Sequence, residues 1–462
     1  MFKVLKNERL ETHVLLFKEN ELNKEYGDLK ENDLFSAKVK QVYNDLDYNN
    51  KGNILVGLGN DLNNYDDLRM SGFNLGKLVS MRKITEFSID LELLKDYGLN
   101  AFIEGFIDSL YKFNFYKTKK HEQTLKSVSF INSNINQINQ TINLMKGVFK
   151  SRDLVNLTPI DLYPESYAND VINEFKNSNV KVEVFGKEEI EKLNMHALLA
   201  VSKGSSKSPR FLVLKYFNNN DSNEHITIVG KGVTYDSGGY AIKPAGSMAS
   251  MKSDMAGSAA VIGLFKALNL NEVKTNVVGV IALTENLISG DAYKNGDVIN
   301  TMKGLTVEVV NTDAEGRLTL ADAIYYAATK LNSTEIIELS TLTGACVVAL
   351  GNHITGITTE NDEMYNNIHK AGLISGEFNW RMPMTKQLKD SVKSDIAELK
   401  NAVTGGAGMM TAGIFLNHFN EDVPFMHLDI AGPSYLSSPY NNLPKGATGV
   451  KVKTLYNYIL NK

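Results

Sequence analysis

Apolar positions fall in two textures along the chain. Up to about residue 150 they come in separate bursts divided by Asn, Lys, Asp and Tyr. There NILVGLGN (53–60) reads as a buried strand ending in glycine, and AFIEGFIDSLYKF, from Ala101, as a helix running into a strand. Ile131, Ile135, Ile138, Ile142 and Met145 recur every three or four residues, the period of an amphipathic helix, and predict a helix linking two domains. Beyond about residue 160 short apolar runs alternate with Ala- and Leu-rich stretches. HITIVGK (225–231), NVVGVIAL (276–283), TVEVV (306–310), EIIEL (335–339) and MHLDI (426–430) predict strands, and 255–270 and 318–331 predict helices. This alternation predicts an α/β fold whose larger part is built on a central mixed, mainly parallel sheet. Ligands of such sheets gather outside the carboxyl ends of the strands, and polar or glycine-rich clusters follow HITIVGK, NVVGVIAL and TVEVV.

The length, 462 residues, fits more than one domain, and the change of texture divides it into 1–150 and 151–462. Lys plus Arg number 49 and Asp plus Glu 53, a net charge of −4, which rules out a strongly basic nucleic-acid scavenger. Cys346 is the single cysteine, so there is neither an intrachain disulfide nor a thiolate zinc cluster. The first residues carry Lys3, Lys6, Glu8 and Arg9 around a short apolar run, unlike a signal peptide. No run of about 18 apolar residues predicts a membrane span. The cytosol is the expected location.

Two segments carry candidate chemistry. GKGVTYDSGGYAIKPAGSMASMKSDMAG (230–257) holds Lys231, Asp236, Lys243 and Asp254 among six glycines. It lacks the phosphate-loop pattern G-x-x-x-x-G-K-[ST], and the dinucleotide pattern G-x-G-x-x-G fails at Asp236 and Ser237. A serine nucleophile at Ser237 wants G-x-S-x-G, but Tyr235 takes the first glycine position. NTDAEGRL (311–318) spaces Asp313, Glu315 and Arg317 two apart, so an extended backbone would project all three to one side. A solvated salt-bridged edge is the ordinary reading of such a triplet. A turn from strand to helix favours a functional one.

Pooled together, Asp236, Asp254, Asp313 and Glu315 would repel and raise one another's pKa, a cost that divalent cations beside Lys231 would remove. Hydrolases often hold two such ions about 3.5–4 Å apart. The eight histidines offer no better metal site. His121-Glu122 begins like H-E-x-x-H, yet Leu125 stands where the second histidine belongs. His427, beside Asp429, reads as a satisfied interior or supporting histidine.

VGKGVTYDSGGYAIKP, MKSDMAGSAAV and NTDAEGRLTLADA closely resemble the leucyl (cytosol) aminopeptidase family. STLTGA (340–345), WRMP (380–383), DIAELKN (395–401) and HLDIAG (427–432) look like further blocks of it in the same order. The resemblance is strong over about 150–460 and weaker upstream. It implies a smaller N-terminal α/β domain and a larger C-terminal α/β peptidase domain. It further implies a hexamer, two divalent metal ions (Zn²⁺ or Mn²⁺) and removal of N-terminal leucine and similar apolar residues from peptides. Lys231, Asp236, Asp254, Asp313 and Glu315 match its metal ligands. Lys243 matches its catalytic lysine, Arg317 its bicarbonate-holding arginine, and the backbone near Leu342 a second contact to that anion. On this pattern a hydroxide-like water attacks the peptide carbonyl while bicarbonate carries the proton. Met251, Thr341, Gly344 and Ala431 match the side-chain pocket, although Met251 also suits ordinary core packing. Tyr240-Ala241, Ser253 and Ser258 depart from the usual residues and bear on pocket shape rather than on ligands.

Two other functions remain open. YKFNFYKTKKHEQTLK (111–126) interleaves five lysines with aromatics, as a DNA-binding regulator would, but reads more simply as an amphipathic strand and solvated loop. A narrow dipeptidase acting on substrates such as cysteinyl-glycine would use the same site. Nucleic acid and membrane are not expected partners; peptides are.

Overall fold

A computed structural model describes every residue except 1, 20, 23–25, 96–97 and 121. The H-E pair at 121–122 therefore lies partly outside the described residues. The chain forms two compact units, one of residues 1–145 with 439–443, the other of 146–438 with 444–462. The helix Ile135–Asn156 begins in the first and ends in the second.

The first unit is built on a sheet of β1 (Lys3–Lys6), β2 (Thr12–Phe17), β3 (Val42–Leu46), β4 (Gly52–Gly57), β5 (Glu86–Asp90) and β6 (Ser127–Ile131). Its order is β1-β6-β5-β2-β4-β3, parallel except for the β3–β4 edge. NILVGLGN supplies β4, as its apolar run predicts. Ile131 closes β6, so the helical repeat begins at Ile135 instead. AFIEGFID lies in the helix Leu99–Asp108, but the helix does not run directly into a strand. There the Ser109 hydroxyl turns back to the Phe106 carbonyl at 2.6 Å, and among the described residues 112–120 and 122–126 there is loop and no amphipathic strand.

The helices Tyr65–Met81 and Leu99–Asp108 pack closely and enclose an ion pair. Arg69 Nε lies 2.8 Å from Glu104 Oε2 and Arg69 Nη1 2.8 Å from Asp66 Oδ1. Arg69 and Glu104 are buried. Burial alone would lower the Arg69 pKa, yet the two carboxylates outweigh it and hold it above its ordinary value.

The second unit contains, in chain order, β7 (Val180–Phe185), β8 (Arg210–Phe217), β9 (Ile226–Asp236), β10 (Asn276–Asn286), β11 (Val298–Asn300), β12 (Thr306–Glu308), β13 (Glu335–Ser340), β14 (Thr355–Thr358), β15 (Asn379–Arg381), β16 (Leu399–Lys400) and β17 (Phe425–Asp429). Eight of them form one sheet in the order β15-β14-β17-β13-β9-β10-β8-β7. Parallel pairing runs through its centre from β10 across β9 and β13 to β17. β8 and β14 join it antiparallel. β10 is buried at every position, as a strand covered on both faces must be, which explains its unbroken apolar run. The helices Ala256–Leu270 and Gly316–Lys330 match the two predicted from Ala and Leu content.

TVEVV departs from expectation. β12 lies outside the main sheet and pairs with β11 and β16 in a three-stranded one. After it the backbone turns rather than extends: 312–313 form a turn and the helix starts at Gly316. Asp313 and Glu315 thus stand on a turn and Arg317 in the first helical turn, so strand alternation is not what brings them together. Among the described residues no helix is long and apolar enough to cross a membrane.

Candidate active site

The carboxyl ends of β9, β13 and β17, with the turn before Gly316, open on one cavity of about 450 Å³. Its lining includes Lys231, Asp236, Lys243, Met251, Asp254, Asp313, Glu315, Arg317, Thr341, Leu342, Gly344 and Ala431. Every site residue expected from the sequence therefore faces one space. His427 is not among its lining residues; it is buried, and its Nδ1 shares a hydrogen bond with Glu338 Oε2.

Local folding explains the convergence. β9 carries Lys231 within the sheet and Asp236 at its end. Gly238 follows with φ +87°, a left-handed turn where a Cβ would also lie 2.8 Å from Asp313 Oδ1. The turn brings Lys243 back over the strand end, with Nζ 2.8 Å from Asp236 Oδ2 and also paired with Asp313. Asp254 precedes the helix Ala256–Leu270. Lys231 Nζ lies 2.7 Å from Asp254 Oδ2 and 2.8 Å from Glu315 Oε1. Its side chain passes where Gly316 has none: a Cβ at 316 would sit 2.4 Å from Lys231 Cε.

Charge in this nest is unbalanced. Four carboxylates face two ammonium groups, with Arg317 alongside. Burial pushes the Asp254 carboxyl well up against the pull of Lys231, with Glu315 and Asp236 adding to the rise. Burial and neighbouring carboxylates raise Asp236 and Asp313 too. Burial works against charge on Lys231 and Lys243, yet the carboxylates outweigh it and hold both above the ordinary lysine value. Burial brings Arg317 down to about 10 although Glu315 and Asp429 oppose the shift, so it stays cationic near neutrality.

A divalent cation fits these donors. Asp236, Asp313 and Glu315 can each bring an oxygen within 4.8 Å of the others. Neither oxygen of Glu315 has a hydrogen bond, and the same holds for Asp254 Oδ2 and Asp313 Oδ1. Glu315 Oε1 and Asp254 Oδ2 do have Lys231 at ion-pair distance and Asp313 Oδ1 has Lys243, whereas Glu315 Oε2 has neither. Two ammonium groups among four carboxylates leave lone pairs over for a metal, those of Glu315 Oε2 first.

Other residues hold the nest in shape. Asn286, ending β10, donates to Asp236 Oδ1 at 2.7 Å and to the Thr312 carbonyl at 3.0 Å. The Thr312 hydroxyl donates to the Gly238 carbonyl and accepts the Ala241 N–H, both at 2.8 Å. Asn401 accepts the Val310 N–H at 2.8 Å and donates to the Asn311 carbonyl at 2.7 Å. Sequence reasoning did not single these out. Thr312 lies inside NTDAEGRL and Asn286 in the polar stretch after NVVGVIAL, so their positions carried a signal although their partners did not.

A buried nest of carboxylates and lysine at the strand ends of an α/β sheet, with lone pairs left over, is the site of a metal-dependent hydrolase. Residues 150–456 match the catalytic domain of the cytosol aminopeptidase family. A probable cytosol aminopeptidase of Treponema denticola is 44% identical over 447 residues, covering 94% of each chain. One from Clostridium tetani is 43% identical over 451 residues, covering 95% of this chain and 94% of that one. Among solved structures, the bottromycin maturation enzyme BotP superposes with a TM-score of 0.88 at 28% identity, covering 97% of this chain and 98% of that one. A structure of BotP in complex with Mn superposes equally well. The chain belongs to the cytosol aminopeptidase family, and it is a metal-dependent aminopeptidase.

Proposed function

We propose that this aminopeptidase removes N-terminal leucine and similar apolar residues from peptides, with two divalent ions, Zn²⁺ or Mn²⁺, held by Lys231, Asp236, Asp254, Asp313 and Glu315. The observation that carries this reading is the excess of buried carboxylates whose lone pairs lack hydrogen bonds, all lining one cavity. Ions bound there supply an acidified water and a Lewis acid for the scissile carbonyl. Lys243, kept protonated by Asp236 and Glu315 against its own burial, donates to the oxyanion that develops on that carbonyl. Asp254 would receive the substrate's free α-amine, which restricts cleavage to chain ends. Arg317, cationic near neutrality, and the Leu342 backbone hold a bicarbonate, which supplies a general base when bound. Met251, Thr341, Gly344 and Ala431 take the side chain of the residue removed.

We further infer a homohexamer in the cytosol, on the family resemblance and on the names its relatives carry. The test is hydrolysis of leucine p-nitroanilide by chelator-stripped protein, with Zn²⁺, Mn²⁺, Mg²⁺ or Co²⁺ added back singly. Activity restored by metal and abolished by Asp313→Ala and by Lys243→Ala is the expected result. Stoichiometric metal binding without hydrolysis would overturn it and favour the narrower dipeptidase.

A further inference from the structure

Below the cavity a polar row crosses the centre of the sheet. Glu338 stands opposite His427, and Ser340 opposite Asp429, in the β13–β17 register. All four are 0% exposed. The helix Gly408–Leu416 lies over the row so closely that a Cβ at Gly413 would be 3.1 Å from His427 Cδ2. Charged groups in such a place are costly unless every one has a task.

The two Asp429 oxygens serve different loops. Oδ2 accepts the Thr343 hydroxyl at 2.6 Å, and Oδ1 accepts the Ala431 N–H at 3.2 Å. Thr343 belongs to the loop after β13, and Ala431 to the loop after β17; both line the cavity. The Thr343 hydroxyl also accepts the Cys346 N–H at 3.0 Å, capping the helix Gly344–Leu350. Two residues earlier in the same loop, the Thr341 hydroxyl donates to Asp254 Oδ1 at 2.7 Å, and its carbonyl accepts from Lys231 Nζ at 3.3 Å. One carboxylate thus ties together the loops carrying Gly344 and Ala431, and the first of them reaches the proposed ligands. Burial raises the Asp429 pKa above its ordinary value, and His427, on the same face, opposes the rise.

We propose that Asp429 is a positioning residue of the catalytic centre: with Thr343 it clamps the 341–344 and 430–432 loops together, braced from below by the Glu338–His427 pair, and so sets the width of the side-chain pocket. Its kinetic readout rests on the aminopeptidase reading; its structural readout does not.

Asp429→Asn, Thr343→Val and Thr343→Ser test it in the metal-loaded full chain. In Asp429→Asn and Thr343→Val the KM for leucine p-nitroanilide rises roughly tenfold while kcat stays within about threefold. Thr343→Ser, which keeps the hydroxyl, returns KM to within about twofold of the native value. The double variant Asp429→Asn with Thr343→Val costs no more than either single one. Metal content per chain is unchanged, and amide hydrogen exchange quickens in both loops together. Native KM and native exchange in Asp429→Asn and Thr343→Val would overturn the proposal, as would a loss confined to kcat with exchange unaltered. If Asp429→Asn does not fold, the two Thr343 variants decide. If the native chain hydrolyses no aminoacyl anilide, the aminopeptidase reading falls, and exchange alone judges the clamp: faster in both loops upholds it, unchanged rejects it.

Discussion

Arg69 in the N-terminal unit meets two carboxylates, Glu104 and Asp66, each at 2.8 Å. Around Lys231 and Lys243 in the C-terminal unit, four carboxylates share two ammonium groups. Both clusters are largely buried, and both raise the pKa of their cations by outweighing desolvation. They differ in satisfaction and access. Arg69 meets its partners with directed hydrogen bonds at Nε and Nη1. The second cluster leaves both oxygens of Glu315 without a hydrogen bond and borders a cavity. A satisfied buried pair is a fastening between helices; an under-satisfied one beside open space is a place where something binds.

The sharpest way to break this contrast is to remove one member of each cluster. Glu315→Gln should lower kcat/KM for leucine p-nitroanilide at least about a thousandfold in a chain that still folds, as circular dichroism would report. Arg69→Ala should do the reverse. It leaves two carboxylates beside the gap and costs about 3–5 kcal/mol of stability in urea unfolding, with kcat/KM per folded molecule unchanged. Equal damage to activity from both would erase the distinction.

Cation addition sharpens it further. At a hundred times its Kd, a divalent ion should stabilise stripped protein by about 2.7 kcal/mol, read by calorimetry. Glu315→Gln should lose most of that gain, whereas Arg69→Met with Glu104→Leu should keep it.

The smallest effect concerns pH. Burial works against charge on His427, but Glu338 and Asp429 outweigh it and hold it above its ordinary 6.5. The native state then binds a proton that the unfolded chain releases. This contribution is complete below pH 6.5 and is lost as pH rises through the higher native value. The free energy of urea unfolding should fall more between pH 6 and pH 9 in the native chain than in His427→Gln. An equal fall in both would remove His427 from the account.

What could be read beforehand follows the range of the interaction. NVVGVIAL announces β10 because burial on both faces leaves no polar position, a local property. Each site residue that the shared motif blocks pointed to lines the cavity with Lys231, but lining residues such as Thr343 and Val403 carried no such signal. Strand alternation misled at NTDAEGRL, where the Asn401 amide and Tyr293 hydroxyl hold a turn from distant parts of the chain. Arg69 and Glu104 lie 35 residues apart on separate helices, and Thr343 and Asp429 lie 86 apart. No local period encodes either pairing. The sheet membership of β12 was equally hidden, since its partner β16 arrives about ninety residues later.

The ammonium of Lys231, threaded past Gly316 into the carboxylate nest, has one more consequence. It is a resident counter-ion that the polypeptide supplies itself, so the fold can close before any metal arrives. In the metal-bound state proposed above it would have to give up its proton to offer a lone pair. Loading would then be an exchange of hydrogen ions for metal ions: acid would appear in the medium as the enzyme is armed, and alkaline conditions would draw the metal in.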